Sequence, residues 1–147
     1  MNDHDRIRVA DAIHSSSMAQ DLTPNQYALP NYRNAVIPRK KLESYCLDPQ
    51  HVSRPYGKSS GKDKARVFKA ALGFEQADWE LLKQRILEAL PYCEATLRNE
   101  DEYGKRYNVE LPITGPNGNT VTVLTAWIVR PGTDYPSFVT ALCLEGN

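Results

Sequence analysis

The stretch YGKRYNVELPITGPNGNTVTVLTAWIV, residues 103–129, decides the fold. Its first half alternates: Tyr107, Val109, Leu111 and Ile113 are interleaved with Arg106, Asn108, Glu110 and Pro112, the period-two pattern of a strand with one buried face. GPNG at 115–118 interrupts the pattern, and Asn117-Gly118 suits the positive φ of a hairpin turn. The return segment, NTVTVLTAWIVR, is apolar on both faces, which predicts a central strand. Beyond it RPGTDYP makes a connection and SFVTALCL reads as a further strand, while residues 93–99 on the upstream side add one more. The pieces make an antiparallel meander of three to four strands.

Upstream of Pro91 the period is helical. NAVIPRKKLESYCLDP, residues 34–49, reads as a first helix: Pro38 suits its first turn, Val36 or Ile37 can staple it, and Asp48-Pro49 ends it. A second helix runs from Gly61 to Leu72, with Ser60 and Asp63 spaced as a capping box and Gly73 placed to close it in the left-handed conformation. A third, from Gln76 to Leu90, sets Trp79, Leu82, Ile86 and Leu90 at helical spacing and stops before Pro91. The expected fold is α+β, about three N-terminal helices packed on one face of the meander sheet. Residues 1–33 are polar, broken by Thr23-Pro24 and Leu29-Pro30, and read as an arm or connector with room for one short helix at residues 6–13. Residues 34–147 then form a single domain.

The chain has 147 residues, 41% hydrophobic and 24% charged, enough apolar material for one real core. Lys plus Arg and Asp plus Glu are both 18, so net charge exerts no general pull toward nucleic acid or membrane. The distribution is uneven. Residues 30–72 carry ten bases against three acids, and residues 75–110 carry nine acids against five bases. Cys46, Cys93 and Cys143 are far apart and form no C-x-x-C pair, which argues for reduced thiols rather than a zinc site or a disulfide framework. The charged N-terminus is no signal peptide and no apolar run of membrane-spanning length occurs, so a cytoplasmic protein is expected. No Ser-His-Asp pattern, metal-ligand cluster or dinucleotide fingerprint is present, which disfavours a protease, a metalloenzyme or a dehydrogenase, and no cofactor is expected.

The charge of the second helix is the main functional clue. Lys58, Lys62, Lys64, Arg66 and Lys69 fall within twelve positions at a helix start, where the macrodipole disfavours cations. On a helical wheel Lys62, Arg66 and Lys69 share one stripe, and Val67, Phe68 and Ala71 define the apolar side. Lys64 falls among the apolar residues, so it either keeps its head in water at the rim of the core or reaches across to an anion in a cleft between helix and sheet. The stripe alone is what any solvated helix face shows. With Arg54, Lys58 and His51 beside it, however, the loop HVSRPYGKSSGK can wrap backbone amides around a phosphate, although it lacks the spacing of a P-loop.

His51 suits general acid or base chemistry near neutral pH, though a loop histidine is commonly a plain surface residue, and His4 and His14 lie in the arm. Thr125 and Thr140 place hydroxyls inside apolar strands, where they either serve a site or bond a neighbouring strand. Tyr103, Tyr107 and Tyr135 can stack bases or simply pack.

The series NAVIPRKKLESYCLDPQH, GKDKARVFKAALGF, YGKRYNVELPITGPNGNTVTVLTAWIV and YPSFVTAL, spanning roughly residues 34–144, resembles an uncharacterised bacterial domain of the C-terminal ends of polymorphic and contact-dependent toxins. By analogy of fold, such tips look like the barnase, EndoU, colicin and RelE class of ribonucleases. The resemblance implies a metal-independent RNA-cleaving site on this chain at Lys62 and Lys64, His51, Thr125 and Thr140. It also implies RNA as substrate and a cognate immunity protein as partner. The chain starts at Met1 with a short polar arm and no delivery domain, which leaves a free-standing relative, an orphaned tip or an inactive descendant as alternatives. Two other readings stand beside it. One is a non-catalytic module that binds nucleic acid or an acidic protein through the basic helix. The other is an inhibitory or structural partner that uses the acidic NEDEY at residues 99–103.

Overall fold

The computed structural model describes the backbone over residues 23–50 and 61–144, and side chains over 23–50 and 64–144. Its elements are a helical turn at Tyr32–Asn34, helix α1 at Arg39–Lys41, a π turn at Leu42–Cys46, α2 at Gly61–Leu72, α3 at Trp79–Ala89, and strands β1 at Ala95–Asp101, β2 at Gly104–Thr114, β3 at Thr120–Val129 and β4 at Ser137–Cys143. The strands form one antiparallel sheet in the order β1-β2-β3-β4. All three expected helical segments and all four strands are present.

Each helix shows a local cause. Pro38 precedes α1 with extended torsions, φ −65° and ψ 139°, where its missing N–H costs nothing. The helix then widens, and the Leu47 N–H donates to the Leu42 carbonyl at 2.8 Å, a five-residue step in place of the usual four. α2 buries Ala65, Phe68 and Leu72 along one stripe. It closes at Gly73, whose φ of 81° is the left-handed value expected of it and whose N–H donates to the Lys69 carbonyl. α3 is introduced by a turn at Gln76–Asp78 in which the Glu75 and Asp78 side chains cap each other's backbone, and it buries Leu82, Ile86 and Ala89.

The β2–β3 hairpin keeps one register from Lys105↔Val129 to Thr114↔Thr120. Its GPNG turn does more than reverse the chain. The Asn117 N–H donates to the Leu72 carbonyl at 3.1 Å, and the Asn117 and Asn119 amides both donate to the Ala71 carbonyl, so the turn satisfies acceptors that the end of α2 leaves open. Gly115 makes that approach possible, because a Cβ there would stand 2.0 Å from the Leu72 oxygen. Of the two turn residues expected at positive φ, only Gly118 adopts it. β3 alternates more than its composition suggests: Val123, Thr125 and Trp127 are buried, while Thr122, Leu124 and Ala126 on the other face are half-buried.

One core joins Leu42, Phe68, Leu72, Leu82 and Ile86 of the helical segments with Leu111, Ile113, Val123, Trp127 and Phe138 of the strands. Edge-to-face pairs Phe68–Phe74 and Trp127–Phe138, with centroids 6.3 and 5.5 Å apart, add directional contacts. Leu29, within the stretch read as an arm, is fully buried in this core. Backbone bonds bind the neighbouring residues to the body: Asn25 to Pro91, Ala95 to Tyr27, and Val36 in a parallel bridge to Ser137. Packed structure therefore extends N-terminal to residue 34, held by isolated bonds that carry no periodic signal. No helix among the described residues is long and apolar enough to cross a membrane.

Candidate functional site

Two irregular pieces of backbone, a π turn and a strand bulge, meet α2 at Lys64. The side chain leaves α2 one turn before Phe68, which puts its stem at the rim of the core and leaves it half-buried. Its Nζ donates to the Tyr45 hydroxyl at 3.0 Å and to Thr140 Oγ1 at 2.8 Å, and lies 4.5 Å from the Tyr45 ring centroid. Tyr45 and Cys46 are consecutive residues of the π turn, and both reach this cluster. The Cys46 Sγ stands 3.9 Å from Thr140 Oγ1 and donates to the Ala141 carbonyl at 3.7 Å. Thr140 lies beside a bulge in β4: Ala126 pairs with Thr140 and Trp127 with Phe138, so Val139 has no counterpart in β3. A bulge breaks strict alternation and re-aims neighbouring side chains.

The chemistry of the cluster follows from its donors. An ammonium has three N–H groups, and two of them are used here. The hydroxyls accept through oxygen, and each carries its own proton. A half-buried cation held by two hydroxyl groups is a preorganised place for a phosphate or a developing oxyanion, because low dielectric strengthens each contact and no reorganisation is needed. Among the described residues no carboxylate pairs with Lys64. Burial pushes the Cys46 thiol above its ordinary value. The Ala141 hydrogen bond, the Lys64 charge and the Thr140 hydroxyl oppose that shift.

The candidates from sequence separate into three groups. Lys64 and Thr140 come together as described. Arg66 and Lys69 stand exposed on another face of α2, where they line a cavity of about 620 Å³, and Lys69 lies 4.0 Å from Glu75. Thr125 is buried in the core instead: its hydroxyl donates to the Val109 carbonyl and accepts from the Trp127 indole, both at 2.8 Å, so it cross-braces β2 and β3. His51, Arg54 and Lys58 lie outside the described residues, as does the side chain of Lys62. Tyr107 packs against the core, while Tyr103 and Tyr135 are exposed. Sequence reasoning missed Tyr45. A regular helix gives it no reason to reach α2, and the π turn that does so leaves no mark in composition.

Among the described residues no group of three or more His, Cys, Asp or Glu is placed to hold a metal ion. The fold is shared with a chain of the contact-dependent growth inhibition toxin–immunity protein complex from Klebsiella pneumoniae 342, at a TM-score of 0.59 and 16% identity, over 74% of this chain and 99% of that one. No curated protein matches the sequence. Residues 28–145 match the family described as a domain of unknown function, DUF6883, and the chain belongs to that family.

Proposed function

We propose that this domain is a metal-independent endoribonuclease of the toxin-tip type, with Lys64 at the centre of its phosphate site. The observation that carries the proposal is the half-buried ammonium gripped by the Tyr45 and Thr140 hydroxyls. In the reaction a general base takes the proton of a ribose 2′-hydroxyl and the 2′-oxygen attacks phosphorus. The bond to the 5′-oxygen breaks with its electron pair, and that oxygen collects a proton. The products are a 2′,3′-cyclic phosphate and a 5′-hydroxyl. Lys64, Tyr45 and Thr140 stabilise the charge that builds on the non-bridging oxygens. His51 serves as acid or base, and Lys58, Lys62, Arg66 and Lys69 hold phosphates along the RNA. Thr125 has no part in this scheme, because both capacities of its hydroxyl are taken inside the sheet.

The fold shared with one chain of a toxin–immunity protein complex fits a member of such a pair, on either side of it. On the same reading a cognate immunity protein covers the Lys64 site with acidic groups.

The deciding experiment incubates the purified protein with total RNA in EDTA, beside Lys64→Ala and His51→Ala variants. Discrete fragments ending in cyclic phosphate, at least tenfold fewer in each variant, are expected. Undiminished cleavage by Lys64→Ala removes Lys64 from the mechanism. Intact RNA in every lane, with binding that weakens steeply in salt, transfers the assignment to a non-catalytic nucleic-acid-binding module.

A further inference from the structure

The two edges of the sheet are finished differently. At β4 the Val36 carbonyl accepts the Phe138 N–H at 2.8 Å, and α1, α2 and the π turn pack against the strand. At β1 only the first residue is met. The Ala95 N–H donates to the Tyr27 carbonyl at 2.9 Å, away from β2, and among the described residues no other backbone group bonds to that outer side of the strand. Six of the seven residues of β1 are exposed. Leu97, 52% exposed, offers an apolar side chain beside Tyr107, its partner in β2. The bond to Tyr27 shows that the edge takes an extended neighbour, and beyond Ala95 the edge is a template for one more strand.

Charge and a hollow beside the edge set what kind of strand it admits. Val109 is buried, so Asn108 and Glu110 lie on the opposite face of β2; there, with Thr96 and Arg98 of β1 and with Tyr27 and Glu94, they line a cavity of about 750 Å³. Arg98 is the extra residue of a bulge in β1, and its guanidinium donates to the Asn108 amide oxygen at 2.8 Å, which turns it across the sheet face. Asp101 and Arg106 neutralise each other in an ion pair. That leaves Glu94, Glu100, Glu102 and Glu110, none of them in an ion pair among the described residues, against Arg98 and Lys105. Bulges and charges at an edge deter indiscriminate pairing, and the charge that remains here is acidic, so it favours a basic strand over others.

We infer that the free edge of β1 is a docking site for an extended, lysine- or arginine-bearing segment of a partner protein, added to the sheet as a fifth strand. Main-chain hydrogen bonds along residues 97–101 hold the segment, and its side chains on the cavity face meet Glu94 and Glu110. β1 stands three strand spacings from β4, about 14 Å, so the partner leaves the Lys64 cluster uncovered. The inference goes beyond the ribonuclease reading and does not rest on it.

The test is amide NMR of the full chain titrated with a peptide of β1's own length, capped at both ends, in which lysine and valine alternate. Two controls accompany it: the same peptide N-methylated at every residue, which has no donors for a ladder, and a peptide with glutamate in place of lysine. The lysine peptide is expected to shift the Leu97, Asn99 and Asp101 amides, to slow their hydrogen exchange, and to bind on the order of tenfold more tightly than either control. Glu100→Lys combined with Glu102→Lys is expected to reverse the preference, so that the glutamate peptide binds the more tightly. Three outcomes overturn the docking edge. One is no shift at those amides. Another is equal binding by the N-methylated peptide, which would reduce the contact to charge attraction. The third is a dimer in sedimentation without peptide, with the same amides broadening as protein concentration rises, which would give the edge to a second copy of this chain.

Discussion

The β2–β3 pair and the β3–β4 pair belong to one sheet and share a strand, yet one is regular and the other is not. β2 and β3 run through ten paired positions without a slip, and their turn docks on the end of α2 through backbone and amide hydrogen bonds. β4 slips by a residue at Val139, and beside the slip Thr140 bonds to Lys64, which is also held by Tyr45 of a π turn. The regular pair satisfies the chain's own polar groups. The irregular edge, by contrast, directs side-chain donors and a cation at one point. Bulges and π turns are costly as structure, and they recur where a side chain has to be re-aimed.

The largest expected effect is on the regular side. Gly115→Ala places a Cβ 2.0 Å from the Leu72 oxygen and 2.5 Å from the Leu72 Cβ, so the hairpin or the end of α2 must shift. A loss of about 3 kcal/mol in urea-unfolding stability is expected from overpacking of that kind. An unchanged midpoint would show that the turn does not anchor the helix. At the irregular edge Lys64→Ala is expected to lower RNA cleavage about a hundredfold, the scale of one lost oxyanion donor, with little change in melting temperature.

The two threonines sharpen the contrast. Thr125→Val leaves the buried Trp127 indole N–H without its acceptor and takes one donor from the Val109 carbonyl, and a loss of about 1.5 kcal/mol with unchanged cleavage is expected. Thr140→Val is expected to do the reverse, lowering cleavage about tenfold while stability stays within about 0.5 kcal/mol. If both variants lose stability alone, Thr140 is a structural brace and the site shrinks to Lys64 and Tyr45.

The same contrast explains what could be read in advance. Alternation from Tyr107 to Ile113 specifies β2, and Gly73 specifies the end of α2, because each depends on a rule local to a few residues. Lys64 is legible as a misfit on an apolar stripe, but its partners are not. Thr125 and Thr140 look alike in sequence, since each sits in an apolar strand. One turns into the core beside Trp127 while the other lies at a bulge, and the bulge arises from how β4 meets β3, which no local pattern encodes. Tyr45 and the burial of Leu29 are hidden for the same reason: each depends on contacts between distant segments.

The smallest expected effect tests whether the irregular edge is closed to water around Cys46. Burial raises the thiol's folded pKa above the unfolded value, so the folded state holds the proton more tightly. The stabilisation this gives is complete below the unfolded thiol value, about 8.5, and is lost as pH rises from there toward the folded pKa. Stability of the wild type is therefore expected to fall more steeply in the alkaline range than that of Cys46→Ala, by at most about 1.4 kcal/mol per pH unit. Comparing the two proteins cancels contributions common to both. Lys64→Ala is expected to steepen the fall, because the ammonium favours the thiolate and its removal lifts the folded pKa further. Identical slopes in wild type and Cys46→Ala would mean that Cys46 ionises as easily folded as unfolded. Water would then reach the Lys64 cluster from behind, and a site open to water on that side loses the low dielectric that makes a single half-buried cation effective.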